Sequence, residues 1–125
     1  MKMLKSLFWK KHEKRPSVVT RVEHSSDGFT VWKSADVSEK VAWSEIERIF
    51  TYKVDCYAID MIWLAFERKG HELLVHIPEE AEGFKNLIPA MNKALPGIDP
   101  EWYQNVMLPV FEEKLTLIFQ RTQAT

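Results

Sequence analysis

The side chains best suited to acid–base chemistry are Asp55, Asp60 and Glu67, which fall within one short stretch. Two carboxylates can divide the work of general acid and general base when they share a cleft that drives their pKa values apart. Asp55 and Asp60 instead flank a short connection, where Asp caps turns through its own side chain. That structural role outweighs catalysis. The histidines His12, His24, His71 and His76 fall in different segments and form no i, i+4 pair. Metal sites need ligands at converging spacings. Cys56 sits between Asp55 and Tyr57, whereas a reactive thiolate needs an electropositive setting. The glycines at 28, 70, 83 and 97 make no phosphate loop or dinucleotide fingerprint. No serine stands in a nucleophile elbow. The sequence thus assigns no catalytic residue, no metal ligand and no cofactor.

The tryptophans are the other conspicuous groups. Trp32, Trp43, Trp63 and Trp102 could line a binding groove, but at these spacings such residues more often fill a core. Trp63 is the one expected at an interface, because the opposite face of its strand already supplies core.

These residues sit in a chain of 125 residues, the length of one domain. A single cysteine rules out an intrachain disulfide and fits a reducing compartment, most simply the cytoplasm. The net charge of -1 hides an uneven distribution. Residues 1–16 hold six basic groups and one acid, and residues 17–125 hold 11 basic and 17 acidic groups. An acidic body disfavours nucleic acid, which needs clustered Lys and Arg. Two parts are therefore expected: a basic arm over 1–16 and one domain over 17–125.

In the arm, Met3, Leu4, Leu7 and Phe8 share one helical face, with Trp9, Lys10 and Lys11 beside it. Lys5 and Ser6 interrupt the apolar run that a secretory signal needs. No later segment has the length of apolar residues needed to span a bilayer. A cytoplasmic protein is expected. The arm either packs on its own domain or a partner, frays, or lies on the inner face of a membrane. Packing or fraying carries more weight, since one short segment is a marginal anchor.

The body alternates in the manner of strands. Val18, Thr20 and Val22 are expected on one side of the first strand, and Asp27-Gly28 reads as a tight turn needing positive φ. Phe29 and Val31 then face inward, opposite Thr30 and Trp32. A short strand over 40–42 leads to a helical turn, with Ser44 and Glu47 as a capping box and Trp43 and Ile46 inward. A strand follows over 49–54. The segment 60–68 is apolar on both sides, as a central or doubly covered strand would be. The next strand spans 72–77, with Leu73, Val75 and Ile77 on one face. Glu79, Glu80 and Glu82 precede an amphipathic helix carrying Phe84, Leu87, Ile88, Met91, Ala94 and Leu95, in which Pro89 predicts a kink or late start. Asp99-Pro100 opens a short helix with Trp102, Val106 and Met107 inward, ended by Pro109. Leu115, Leu117 and Phe119 then lie on one side of a last strand, or of a helix continuing from Phe111. Strands, then helices, then one strand argue α+β.

The run Trp43-Ser-Glu-Ile46, then Ile49 and a strand, resembles a turn common in bacterial pleckstrin-homology-like domains. The resemblance implies a bent antiparallel sheet of six to seven strands packed by a C-terminal helix. The second short helix and last strand depart from that layout. The lipid-binding basic loop of some such domains has no counterpart in this body. The pattern Lys53-x-Asp55, Asp60-x-Ile-x-Leu-x-Phe66, Gly83-Phe84, Trp102 and Pro109-x-Phe111 also resembles small uncharacterised bacterial proteins, some thought to be immunity or accessory proteins. Neither resemblance implies an active site.

The leading expectation is a non-catalytic domain that binds another protein, in one version an immunity-type inhibitor whose acidic surface meets a basic partner. Its candidate surface holds Phe8, Trp9, Lys10, Lys11, Asp55, Asp60 and Trp63. The rivals are a peripheral membrane module anchored by residues 1–15 and a small enzyme using Asp55, Asp60 or Glu67. A homodimer through residues 61–65 also stays open.

Overall fold

The computed structural model describes residues 18–56, 59–107 and 114–121, with the side chains of 55, 56, 59, 60 and 114 left aside. The expected arm, with Phe8, Trp9, Lys10 and Lys11, lies outside the described residues, as does Pro109.

Among the described residues, seven strands form two antiparallel sheets, with helices after the sixth strand, so the fold is α+β. Strands β1 (Arg21–His24), β2 (Gly28–Trp32) and β3 (Ser38–Ala42) make a three-stranded sheet in that order. Strands β4 (Ile46–Cys56), β5 (Ile59–Arg68), β6 (Val75–Pro78) and β7 (Lys114–Gln120) make the second, in the order β6-β5-β4-β7. Helices α1 (Phe84–Ala94) and α2 (Trp102–Met107) lie between β6 and β7 in sequence. The single sheet expected is therefore divided in two.

The division falls at a 3-10 turn over Trp43–Glu45. Glu45 Oε1 accepts from the Ala42 N–H at 3.1 Å, so the capping pair is Ala42 with Glu45, two residues earlier than the expected Ser44 and Glu47. Trp43 and Ile46 both point inward, as their types require. Arg121 pins this corner to the end of β7, donating to the carbonyls of Ile46 and Trp43 at 2.8 Å each.

The main core lies between the sheets. Val22, Phe29, Val31 and Val41 meet Ile49, Ile62, Leu64, Phe66 and Ile77, and Leu87, Met91, Trp102 and Val106 close it from the helices. The Phe29 ring sits 4.8 Å from Phe66 and 5.3 Å from Trp43, centre to centre. Phe29 and Val31 are buried as β2 alternation demands.

Several local expectations need correction. Gly28 does not supply positive φ. It opens β2 opposite Ala42, where an added Cβ would lie 2.0 Å from the Val41 carbonyl oxygen. Before β1 the expected side breaks up: Val18 and Thr20 are exposed, whereas Val19 and Val22 are buried, and the Thr20 carbonyl and Val22 N–H bond to the backbone of Glu82 while the Thr20 N–H donates to the Trp32 carbonyl. Leu73 is exposed in the β5–β6 connection, since β6 begins only at Val75. Met107 is exposed too. At about 100° per residue it stands roughly 140° around the helix from Trp102, whereas Val106 stands about 40° away. α1 runs through Pro89 on its exposed side, where the carbonyl left without a donor can meet water.

Candidate functional site

The four-stranded sheet has two unlike faces. The inner face carries Ile49, Thr51 and Lys53 of β4 with Ile62, Leu64 and Phe66 of β5. There the buried Thr51 hydroxyl donates to the Trp63 carbonyl at 3.0 Å. Lys53 Nζ, also buried, donates to the Met107 carbonyl at 3.0 Å, placing its charge at the C-terminal end of α2, where a helix favours a cation.

The outer face is aromatic. Strand alternation brings out Phe50, Tyr52 and Val54 on β4, Trp63 and Ala65 on β5, Leu74 and His76 on or beside β6, and Leu115 on β7. Tyr52 and Trp63 are register partners, and their rings stack 5.8 Å apart at an interplanar angle of 6°. The Tyr52 hydroxyl lies 3.1 Å from His76 Nδ1. Burial pushes the Tyr52 phenol well above its ordinary range, so it keeps its proton and can donate to that nitrogen. Phe50, Tyr52 and Ala65 are buried, and Val54, Trp63, Leu74 and Leu115 pack half-buried around them.

At one end of this face Arg48 and Glu67 form a two-pronged ion pair, with N–O distances of 2.6 and 2.7 Å. The Arg48 guanidinium also sits 5.5 Å from the centre of the Phe50 ring. On the β7 side Leu117 leaves 44% of its surface exposed.

No protein-family model matches this chain, and neither does any curated protein or solved structure. Its function is therefore argued from the chemistry of this face.

Of the three carboxylates considered for catalysis, the structure places Asp55 opposite Asp60 and sets Glu67 apart from both. Asp55 and Asp60 are register partners at the hairpin end of β4 and β5. Glu67 lies seven residues further along β5, about 23 Å of extended strand away, and its carboxylate is held by Arg48. Among the described residues no three His, Cys, Asp or Glu side chains converge as metal ligands would. His24 and His71 are exposed near turns, and His76 joins the aromatic face.

Of the tryptophans, Trp43 and Trp102 fill the core. Trp32 is half-buried under the Arg21 guanidinium, 4.5 Å from the ring centre. Trp63 is half-buried on the outer face, and the neighbours it gathers there (Phe50, Tyr52 and His76) are residues the sequence reading left unassigned. The spacing Phe50-x-Tyr52-x-Val54 was the available signal, since three apolar or aromatic residues alternate there with Thr51 and Lys53.

Glu79 was missed for another reason. It was expected to favour the N-terminus of α1, yet it lies outside that helix, whose N-cap is Gly83. Its Oε1 accepts from the Ile62 N–H at 2.9 Å, and its Oε2 accepts from the Tyr103 hydroxyl at 2.7 Å. It ties β5 to α2.

Proposed function

We propose that this chain is a non-catalytic protein-interaction domain whose binding surface is the outer face of the four-stranded sheet. The observation that carries the reading is the Tyr52–Trp63 stack with Phe50 and His76, on the side away from the core and rimmed by exposed Leu117. Tyr and Trp dominate binding energy at protein interfaces, and the Arg48–Glu67 pair gives this aromatic face a charged edge. The excess of acidic groups in residues 17–125 favours a basic partner, as an immunity-type protein would have. A two-sheet body with helices following the sixth strand supports a pleckstrin-homology-like reading of the fold. The pairing of β7 with β4 after both helices departs from that layout.

The test is capture of partners by the tagged full chain at low salt, beside Trp63→Ala and Leu117→Glu. A stoichiometric partner retained by the parent and lost by both variants is expected. Retention by both variants would overturn the assignment of the face.

A second reading, a peripheral membrane module, is favoured by the six basic groups and apolar face within residues 1–16. Co-sedimentation of the full chain with anionic vesicles, against one carrying Lys10→Glu and Lys11→Glu, separates the readings. Equal, negligible sedimentation by both would remove the membrane reading.

A further inference from the structure

Among the described residues the two sheets have four outer edges, and an uncovered edge offers its backbone N–H and C=O groups to another strand. Three of these edges are blunted. Beside β1, Glu82 donates to the Thr20 carbonyl at 3.0 Å and accepts from the Val22 N–H at 2.8 Å. β3 is five residues long, carries exposed Lys40 at its middle, and has its Ala42 N–H taken by Glu45. β6 is four residues long and ends in Pro78, which has no N–H. β7 lacks such protection. It runs for seven residues, and positions 115–119 hold no charge, proline or glycine. Every other strand buries at least one side chain, whereas none from 115 to 120 is buried and Leu117 is exposed.

The direction of the β7 backbone follows from the sheet. The N–H and C=O of Ile62 bond to Glu79, on the β6 side. Alternation then turns Trp63 and Tyr52 toward each other, and Thr51 and Thr116 toward each other. The N–H and C=O of Leu115 and Leu117 therefore point away from β4, where no described strand meets them. Residues 114–117 keep unbroken register with β4, and the bulge lies beyond them.

We infer that this edge pairs with β7 of a second copy, antiparallel about a two-fold axis at Thr116. Leu115 of each copy then lies opposite Leu117 of the other, and the two exchange backbone hydrogen bonds. Both leucines belong to the outer side, so the exposed Leu117 gains an apolar cross-strand neighbour. Thr116 meets Thr116 of the second copy on the other side. Charge selects the occupant. Residues 17–125 hold 17 acidic and 11 basic groups, so two copies repel over much of their surface, and at positions 115–119 they meet without charge. A basic partner gains nothing from an edge that offers no acidic group. The axis runs perpendicular to the sheet, so the two outer faces continue side by side and leave Tyr52 and Trp63 uncovered. The dimer neither requires nor blocks the proposed binding face.

The experiment is sedimentation velocity on the purified full chain from about 1 µM to about 1 mM, beside Leu117→Lys and Thr116→Cys. A monomer–dimer equilibrium is expected. Leu117→Lys, with an unchanged circular dichroism spectrum, should weaken it about tenfold or more, since each dimer loses two apolar pairs. Thr116→Cys should give a disulfide-linked dimer under oxidised glutathione while the parent gives none, because a non-hydrogen-bonded antiparallel pair brings the two Cα atoms to about 4.5 Å. A monomer throughout the range would overturn the inference. So would a dimer that Leu117→Lys leaves intact, or one in which Thr116→Cys forms no disulfide. Slow hydrogen exchange of the Leu115 and Leu117 amides in the dilute monomer would overturn it in favour of cover by the chain itself. Every arm uses the purified chain alone, so failure to capture a protein partner leaves these results unchanged.

Discussion

Glu79 joins a strand to a helix through two hydrogen bonds, one to a backbone N–H and one to a phenol. Replacing it by Ala strands the Ile62 N–H and the Tyr103 hydroxyl. A buried donor left without an acceptor costs about 1–3 kcal/mol, so Glu79→Ala should lower the urea midpoint by a corresponding amount. Tyr103→Phe removes only the phenol bond and should cost less. Burial, then the hydrogen bond and charge of Glu79, push the Tyr103 phenol up to about 12. The unfolded phenol ionises near about 10. The folded state therefore holds its proton where the unfolded state has lost it, and stability falls as pH rises from the unfolded towards the folded value. Urea midpoints taken across that window should decline more steeply for the parent than for Tyr103→Phe. None of this was legible in the sequence. A glutamate among three acids before a helix reads as a charge at a helix end, and only the fold brings Ile62 and Tyr103 to it.

At the level of elements, the alternating strands were the most legible. Phe29 and Val31 on β2 and Ile62, Leu64 and Phe66 on β5 are buried as their period-two pattern implies. β7 was read with Leu115, Leu117 and Phe119 on one side, and that fails in the second half. A bulge opposite Ile49 and Phe50 inserts Ile118, so Leu117 pairs with Phe50 on the outer side while Phe119 pairs with Ile49 and reaches the core. One extra residue reverses the side on which every later residue falls, and single-strand spacing cannot show it. Gly28 was placed correctly at a hairpin, but for the wrong reason. Its hydrogen atom is needed because β3 backbone approaches closely, so Gly28→Ala must push β2 and β3 apart. A cost of about 1–3 kcal/mol, typical of overpacking, is expected from thermal or urea denaturation. Gly83→Ala should also destabilise, since its φ is 88° and an added Cβ would lie 2.1 Å from the Val22 carbonyl oxygen.

Across the whole molecule, the two sheets close one core and the four-stranded sheet turns a second, aromatic face away from it. The charge imbalance and the two-sided character of β5 were legible as composition and pattern. The aromatic face was not, because Tyr52, Trp63 and His76 come from three strands and meet only through register. Binding of a basic protein to an acidic body should weaken with salt, since the Debye length falls from about 30 Å at 0.01 M to about 8 Å at 0.15 M. The most direct measurement places a photo-crosslinking residue at position 117, beside the aromatic face, and separately at position 85, on the exposed side of α1. In the host cell, a crosslink to a second protein from position 117 and none from position 85 is expected. A crosslink from position 85 alone, or from neither, would contradict a binding surface on the outer face of the four-stranded sheet.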